Sequence, residues 1–378
     1  MKIVFDKSTL CDAVAPLMGA VSSKNTYAAV EGILITTMGA GKCALTSFDL
    51  DKGFYAEIEA RVEEEGSFVI NGTKFNQIIR ILPDGEVRLS VDNRFSAKIS
   101  CGKSEFELNA LDGKEFPSIP EFKGEHKFNV QQDILRSMIS ETNFAVAQNE
   151  GRAVLNGLFF SIEGGKIKVV ACDGNRLAIR EKESELVSDG EVNVKFNLPG
   201  KAVLELLKNL KDTEDEVTVF VSRKNAVFVF DGYTFFTRLI EGEYLEYERF
   251  IPKESKIFVR INTEQYIKSL ERASLVSEDK SVGQARSYVR CTFTDTELKL
   301  SSTSANGRAY DEVKIEKTGD DLAIGFSCKL LLDALRACGT EEVILAMNTP
   351  LSCMVIRPAE EQPDSDYLYL VLPIRMKD

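Results

Sequence analysis

The sequence predicts an α+β protein made of three tandem copies of one domain, each with two helices packed against antiparallel sheets. Two observations support this prediction. The chain has 378 residues, which is more than a single hydrophobic core ordinarily serves. One succession of helix and strand signals also occurs three times along the chain, with a spacing of 128 residues at individual positions. A repeat of this length indicates tandem domains rather than the short units of a solenoid.

Each copy opens with a segment whose apolar residues recur at helical spacing. Two short strands rich in Phe, Val and Ile follow, separated by a polar turn. Alternation in such strands is typical of antiparallel sheets with one buried face. The opening helices are predicted at residues 7–21, 131–147 and 263–277. The strand pairs are predicted at residues 31–38 and 42–49, 156–163 and 166–173, and 288–295 and 298–305.

A second helix follows in each copy, with one strand before it and one strand after it. These helices are predicted at residues 72–82, 200–210 and 327–337. Their apolar residues recur every three or four positions, which places them on one helix face. The flanking strands are "SFVI" and "EVRLSV" in the first copy, "NVKFNL" and "EVTVFV" in the second, and "LAIGF" and "EVILAM" in the third.

The repeats place the domains at residues 1–122, 126–251 and 255–378. Prolines and charged residues interrupt the patterning at residues 116–126 and 247–256, so we interpret these stretches as linkers. His126, the only histidine, falls in the first linker.

Composition narrows the class of protein. With 44% hydrophobic and 28% charged residues, the chain has the composition of a soluble globular protein. The first residues, "MKIVFDKSTL", lack the apolar core of a signal peptide, so we expect a cytoplasmic protein that contacts no membrane. The eight cysteines form no C-x-x-C pair and histidine occurs once, which leaves little support for a Cys-His or Ser-His-Asp mechanism. We expect no cofactor and no metal ion.

The stretch "VVACDGNRLAI", residues 169–179, combines a thiol, a carboxylate and an arginine between two apolar runs. Asp-Gly is a strong turn signal because glycine accepts positive φ. The equivalent stretches, "TSFDLDKGF" and "SSTSANGRAY", do not keep this set, and Phe48 is the approximate counterpart of Cys172. We therefore interpret the stretch as a hairpin turn rather than a catalytic centre.

Composition and repeats by themselves leave other functional classes open. A metal-dependent hydrolase would use Asp49, Asp51 or Asp173, although the third copy has no matching carboxylates. A structural scaffold would share the repeats but would need no basic helix face. Residues 38–47, "MGAGKCALTS", resemble a phosphate-binding loop, but the first glycine and the final Ser or Thr of that pattern are missing. A glycine hairpin turn explains this segment.

The helices carry cations on the side opposite the apolar stripe. Arg80, Lys208 and Arg336 occupy the same register in the three copies. The formal net charge is −12, so a basic face on this chain would attract phosphates to one place and repel them elsewhere. Further cations on these helices and on the opening helices include Lys74, Lys201, Lys329, Arg136, Lys268 and Arg272.

Over essentially its whole length the sequence resembles the bacterial DNA polymerase III beta subunits, the sliding clamps. The resemblance is carried by "LNGLFF" at residues 155–160, "DGNRLAI" at 173–179, "YLVLPIRM" at 369–376 and the three helix-strand repeats. It implies the DNA clamp fold and a head-to-tail homodimer that closes into a ring around double-stranded DNA. It also implies a non-catalytic processivity factor, whose pocket between the second and third domains binds the polymerase III alpha subunit, the clamp loader and other proteins with a clamp-binding motif.

The resemblance also implies roles for particular residues. The peptide-binding pocket would comprise Leu155, Cys172, Gly174, Asn175, Arg176, Leu177, Leu245, Arg249, Phe250, Leu351, Cys353, Leu370, Val371, Leu372, Pro373, Ile374 and Arg375. Among the large apolar side chains Leu155, Leu177, Leu370 and Leu372 would line one groove, with Arg176 at its rim. The DNA-facing residues would be Lys24, Lys74, Arg80, Arg136, Gln148, Arg152, Lys201, Lys208, Lys268, Lys329 and Arg336. The dimer interface would bring Phe106 of one chain to Leu275 and Val276 of the other.

Some pocket positions depart from the usual pattern of the family. Cys172 stands where threonine is common, Asn175 where histidine is common, and Leu245 where proline is common. Leu372 replaces a frequent methionine, and Lys377 and Asp378 follow the usual end. The peptide preference of this chain is therefore expected to be its own.

Overall fold

The computed structural model describes residues 1–22, 27–39, 41–121, 123–183, 192–277, 288–304, 307–360 and 365–376. Lys24, predicted to face DNA, and the final Lys377 and Asp378 lie outside these described residues. The chain divides into two compact units. The first unit comprises residues 1–132 and 208–239, and the second comprises the remaining described residues.

The six α-helices in the described part of the chain fall at two per copy, as predicted. In chain order they are α1 Lys7–Leu17, α2 Gly72–Ile81, α3 Gln132–Ser140, α4 Gly200–Asn209, α5 Thr263–Ser277 and α6 Cys328–Arg336. Within the described residues, no helix has both the length and the apolar character needed to cross a membrane.

The strands confirm the predicted positions within one or two residues. The first copy contains β1 Lys2–Asp6, β2 Gly32–Thr37, β3 Lys42–Phe48, β4 Lys52–Glu59, β5 Arg61–Glu64, β6 Ser67–Asn71, β7 Glu86–Val91, β8 Ser96–Cys101 and β9 Ser104–Asp112. The second contains β10 His126–Gln131, β11 Gly157–Glu163, β12 Lys166–Cys172, β13 Arg176–Glu183, β14 Asn193–Pro199, β15 Glu216–Val221, β16 Asn225–Phe230 and β17 Tyr233–Arg238. The third contains β18 Ile257–Asn262, β19 Val289–Phe293, β20 Glu297–Ser304, β21 Gly307–Lys314, β22 Glu316–Thr318, β23 Leu322–Phe326, β24 Glu342–Met347, β25 Met354–Pro358 and β26 Ser365–Val371.

These strands form three antiparallel sheets. The first unit holds one sheet in the order β10-β15-β16-β17-β4-β3-β2-β6-β9-β8-β7-β1-β5. The second unit holds the sheets β14-β11-β12-β13-β26-β25-β24-β18-β22 and β21-β20-β19-β23. Each large sheet therefore contains strands from two consecutive copies: β4 of the first copy pairs with β17 of the second, and β13 of the second pairs with β26 of the third.

The second helix of each copy is a short amphipathic helix, and in the first and third copies a polar side chain caps its start. Asn71 caps α2 by accepting a hydrogen bond from the Lys74 N–H at 3.0 Å, which satisfies one of the free donors at the helix start. Phe75, Ile78 and Ile79 form its buried stripe. Burying a side chain of this size contributes about 1.5–3 kcal/mol, so packing rather than intrinsic propensity holds these short helices. The equivalent buried residues are Val203 and Leu206 in α4, and Leu331, Ala334 and Leu335 in α6.

The opening helix of the first copy is shorter than its predicted range of 7–21. Helix α1 ends at Leu17, and a 3-10 turn covers Met18–Ala20. Pro16 has no N–H, so it cannot donate to the carbonyl of Asp12. The Tyr233 hydroxyl donates to that carbonyl instead, at 2.9 Å.

The opening helix of the second copy also ends early, at Ser140 rather than at residue 147. The Thr142 hydroxyl donates to the carbonyl of Met138 at 2.7 Å, which satisfies an acceptor at the helix end. The chain continues as a 3-10 turn at Asn143–Ala145. The sequence pattern alone had suggested one continuous helix here.

The interpretation of His126 as part of a linker is wrong. His126 begins β10 and lies opposite Val221 of β15. The irregular segment ends before it, because alternation resumes at Phe128 and Val130, which are both buried.

Candidate peptide-binding seam and basic helix faces

The stretch at residues 169–179 is a β-hairpin, as predicted. Strands β12 and β13 are joined by Asp173, Gly174 and Asn175, and Gly174 has φ +86°. One carboxylate oxygen of Asp173 accepts hydrogen bonds from the N–H groups of Asn175 at 2.9 Å and Arg176 at 3.1 Å. The aspartate thus closes the turn locally, which is a structural role.

Arg176 is largely buried, and its predicted position at a groove rim stays a prediction. Its side chain is held between two carboxylates, with Nε donating to Asp173 at 2.9 Å and Nη1 donating to Asp333 at 2.7 Å. The guanidinium also lies 5.2 Å from the centre of the Phe144 ring. Only 9% of Arg176 is exposed, because Asp173 of its own hairpin, Asp333 and the Phe144 ring surround the side chain.

The C-terminal strand runs beside this hairpin. Leu177 of β13 lies opposite Leu370 of β26, which in turn lies opposite Val355 of β25. The strand ends at Val371, and the following residues are irregular. Two backbone bonds hold them: Leu372 N–H donates to the Asn175 carbonyl at 2.9 Å, and Ile374 N–H donates to the Gly325 carbonyl at 2.8 Å. Pro373 and the exposed Arg375 belong to this segment.

An apolar cluster, here called the seam cluster, lies where these strands meet. Its buried members are Val170, Leu177, Ala346, Val355 and Leu370. Its half-buried members include Cys172, Cys353, Tyr244, Tyr247 and Ile251. The cluster thus brings together four predicted pocket residues, Cys172, Leu177, Cys353 and Leu370.

Sequence reasoning missed several members of the seam cluster. Tyr244 stacks on Phe159 with ring centroids 4.8 Å apart, and burial raises the pKa of its hydroxyl. Tyr247 and Ile251 lie in the stretch that had been interpreted as a linker. Their aromatic and aliphatic side chains, within an otherwise polar stretch, were the sequence feature that could have indicated packing against the sheet.

Exposed apolar side chains flank the seam cluster along the chain. Leu372 follows the end of β26 and is 41% exposed, Phe250 precedes Ile251 and is 60% exposed, and Leu351 lies two residues before Cys353 and is 70% exposed. Leu245 is half-buried, and the exposed Arg249 forms an ion pair with Glu246. Leu155 is buried in the 3-10 turn Ala153–Asn156. Leu177 and Leu370 are buried as well, and the assignment of these leucines to the lining of one groove stays a prediction.

A cavity of about 970 Å³ adjoins the hairpin within the second unit. Its lining includes Asp173 and Arg176 together with three of the predicted DNA-facing residues, Gln148, Lys201 and Lys329. These three side chains are exposed.

The other predicted DNA-facing residues that the structure describes lie on solvent-exposed positions, with one exception. Lys74, Arg80, Arg152, Lys208, Lys268 and Arg336 are exposed, whereas Arg136 is half-buried. Two of the cations pair with acids on α5: Arg336 with Glu271 at 2.7 Å, and Lys268 with Glu264 at 2.5 Å. Exposed pairs of this kind contribute little and exchange readily, so they leave both cations accessible to a phosphate.

The predicted dimer residues also reach the surface. Leu275 on α5 is 84% exposed, and Val276 beside it is half-buried. Phe106 on β9 is half-buried.

The alternative catalytic candidates have structural partners. Burial raises the pKa of the Cys172 thiol, and the Gly174 N–H, which donates to its sulfur at 3.5 Å, opposes that shift. Asp49 closes a turn by accepting hydrogen bonds from Asp51 N–H at 3.0 Å and Lys52 N–H at 2.8 Å. Among the described residues, no group of three or more His, Cys, Asp or Glu side chains is placed to hold a metal ion.

Three copies of one α+β domain, joined by strand pairing between copies, define a protein of the DNA clamp class. The models of the DNA polymerase III beta subunit match the chain with their N-terminal domain at residues 1–120, central domain at 129–246 and C-terminal domain at 248–375. The chain therefore belongs to the DNA polymerase III beta subunit family, the bacterial sliding clamps.

Individual relatives cover at least 99% of the chain. The beta sliding clamp of Bacillus subtilis is 30% identical over 386 aligned residues, covering 99% of this chain and 100% of the relative. That of Halalkalibacterium halodurans is 31% identical, with 99% and 100% covered. Among solved structures, a putative DNA polymerase III beta subunit from Eubacterium rectale matches with a TM-score of 0.92 at 30% identity, and the Bacillus subtilis sliding clamp with 0.92 at 29%; both chains are covered completely in each comparison. This protein is a DNA sliding clamp.

The ion pairs of Arg176 generate a prediction about stability. Arg176→Met should lower the free energy of unfolding by about 1–3 kcal/mol, because it leaves two partly buried carboxylates without their charged donor. Thermal unfolding followed by circular dichroism would measure the change.

The matched control is Arg249→Met, which removes an exposed arginine paired with Glu246. This control should change stability by less than about 0.5 kcal/mol. Equal effects of the two substitutions would contradict the structural role assigned to Arg176.

Proposed function

We propose that two copies of this chain close head to tail into a ring that encircles duplex DNA. We further propose that the surface around the seam cluster binds short peptides from the polymerase III alpha subunit, the clamp loader and other proteins with a clamp-binding motif. The ring performs no catalysis and tethers these proteins in the cytoplasm. The observation that carries the proposal is the seam cluster itself, flanked by the exposed Leu372, Phe250 and Leu351, since exposed apolar patches mark partner sites.

Retention on DNA and sliding along it place opposite demands on a clamp. Closure of the ring supplies retention, so the contacts with DNA can be few and exchangeable. Lys and Arg side chains that reach phosphates attract DNA independently of its sequence. The cations at a common register, Arg80, Lys208 and Arg336, meet this need and are all exposed. Readout of base edges would oppose sliding.

A peptide would dock by placing one or two large apolar side chains against the seam cluster. Leucine or phenylalanine anchors fit a surface of leucine, valine, tyrosine and cysteine, and a few such anchors carry most of the binding energy. The affinity is expected near the micromolar range, because an extended peptide is ordered on binding. Cys172 and Leu245 make this surface differ in detail from the usual pattern of the family.

One experiment tests encirclement directly. The protein, loaded onto a nicked circular plasmid by a clamp loader, is expected to remain bound through gel filtration at high salt. Cutting the circle with a restriction enzyme should release it, because the ring then slides off the ends. Retention on the linear product would contradict topological binding.

Deletion of residues 372–378 should abolish binding of a clamp-binding peptide from a polymerase subunit. The deletion removes the exposed Leu372 and the segment that the Asn175 and Gly325 carbonyls hold. Fluorescence anisotropy with a labelled peptide measures binding, and sedimentation shows whether the dimer persists, as expected.

The control deletion removes only residues 377 and 378 and should bind peptide as the full chain does. If the longer deletion binds as tightly as this control, the peptide site lies elsewhere.

Charge reversal of Arg80, Lys208 and Arg336 together should reduce the salt dependence of binding to short linear DNA. Each phosphate contact contributes about −0.9 to the slope of log K against log salt, so every contact that is lost makes the slope about 0.9 units shallower. Processivity in a primer-extension assay should fall in parallel.

The matched control reverses Arg61, Arg88 and Lys166, which are exposed cations on strands. It changes the net charge equally. An equal loss of slope in both variants would mean that total charge, rather than these helix positions, governs DNA binding.

Replacement of Leu275 and Val276 by alanine should weaken the dimer. Large side chains buried at an interface cost about 2–5 kcal/mol each when truncated, and a ring contains the interface twice. Sedimentation velocity at sub-micromolar concentration should show monomers.

Leu351→Ala, which truncates another exposed leucine, serves as the control and should remain dimeric. Dimers of undiminished stability in the double variant would place the interface elsewhere.

A further inference from the structure

Two equivalent rows of five residues cross the large sheets, one row in each unit. Residues directly opposite each other on neighbouring antiparallel strands project to the same face, so strand register defines the rows. In the second unit the row is Cys172, Leu177, Leu370, Val355 and Ala346. In the first unit it is Phe48, Gly53, Phe236, Val227 and Phe220.

The hairpins next to the two rows confirm that the positions correspond. Asp49, like Asp173, closes its turn by accepting hydrogen bonds from the N–H groups two and three residues later. The ion pairs also correspond: Lys52 pairs with Asp49 at 3.0 Å, and Arg176 pairs with Asp173 at 2.9 Å. The central turn residue is left-handed in both, with φ +80° at Leu50 and +86° at Gly174.

The backbone hydrogen bond between each hairpin turn and the end of the neighbouring strand is also the same in the two units. Arg238 N–H donates to the Asp51 carbonyl at 2.8 Å, and Leu372 N–H donates to the Asn175 carbonyl at 2.9 Å. The first unit thus contains the same framework as the proposed peptide site.

The row in the first unit is filled by its own aromatic rings. Phe48 and Phe236 are both buried, with ring centroids 5.4 Å apart. A Cβ atom on Gly53 would lie 2.2 Å from Cζ of Phe236. The Phe236 ring therefore occupies the space where the equivalent Leu177 projects its side chain.

The row in the second unit contains no aromatic residue, and its end positions hold smaller side chains than those of the first unit. Cys172 at one end is half-buried. At the other end, Ala346 and Val355 line a cavity of about 410 Å³. The corresponding end positions in the first unit hold Phe48 and Phe220.

We propose that Phe48 and Phe220 restrict each chain to one peptide-binding groove. Their rings fill, in the first unit, the space that Cys172 and Ala346 leave to a partner's apolar side chain in the second. This inference rests on the proposed peptide-binding function of the seam cluster. The occupant is a short peptide with a leucine or phenylalanine anchor.

The first test closes the groove of the second unit by placing there the phenylalanines that the first unit has at the equivalent positions. Cys172→Phe with Ala346→Phe should weaken binding of a clamp-binding peptide by at least about tenfold, because the added rings overfill the anchor space. Isothermal titration calorimetry measures the dissociation constant, and sedimentation checks that the dimer persists. The control, Glu163→Phe with Glu183→Phe, adds two rings at exposed strand positions outside the seam cluster and should bind within about threefold of the parent chain.

The second test opens the row of the first unit. Phe48→Cys with Phe220→Ala should raise the calorimetric stoichiometry from one peptide per chain to two. When Phe48→Cys and Phe220→Ala are added to the variant whose second-unit groove is closed, the chain should again bind one peptide.

The outcomes separate the two proposals. A parent chain that binds no peptide overturns the proposed function of the seam cluster. A parent chain that binds, with a closed variant that binds equally well, overturns only the present inference, as does a folded opened variant that still takes one peptide. If the opened variant fails to fold, the closed variant and its control decide the question.

Discussion

The antiparallel pairing of β13 with β26 is the constraint on which the candidate site depends. Its register, from Arg176 opposite Val371 to Lys182 opposite Ser365, joins two segments that are far apart in sequence. Because side chains alternate between sheet faces, a shift of one residue would move Leu177 and Leu370 to opposite faces. The seam cluster exists only in the observed register. The same pairing positions the exposed Leu372, which follows the last paired residue of β26.

Arg176 connects the turn to this seam. It lies between Asp173 in its own hairpin and Asp333 on α6, so one side chain ties the hairpin tip to a helix of the third copy. Pairing with two carboxylates and the Phe144 ring compensates for the burial of its charge. The hairpin separates two surfaces of the second unit: the seam cluster with its apolar side chains, and the cavity lined by Lys201 and Lys329.

The two units share one backbone arrangement but differ in the surface they offer to a partner. This is possible because the side chains packed between the strands can change without changing the strand pairing or the turns. Backbone hydrogen bonds and the aspartate-closed turns are the same in both hairpins, whereas the side chains packed between the strands differ. Phenylalanines at positions 48, 220 and 236 build a closed core cluster in the first unit. Smaller residues at the corresponding positions build the seam cluster. Local turn chemistry preserves the fold, and side-chain volume at a few positions decides whether a surface is available to a partner.

The sequence by itself determined the elements of the fold. Apolar periodicity predicted both helices and the principal strands of each copy, and Asp-Gly predicted the hairpin at residues 173–176, because these signals depend on neighbours within a few residues. The domain bounds and the roles assigned to the DNA-facing, pocket and dimer residues stay predictions. Only the tertiary structure decided that Arg176 is buried, that Tyr244 and Tyr247 join the seam cluster, that His126 lies in a strand, and that Tyr233 bonds the carbonyl of Asp12. Each of these depends on a partner distant in the chain or on a register between strands, and a local pattern carries no information about which distant segment will pack against it.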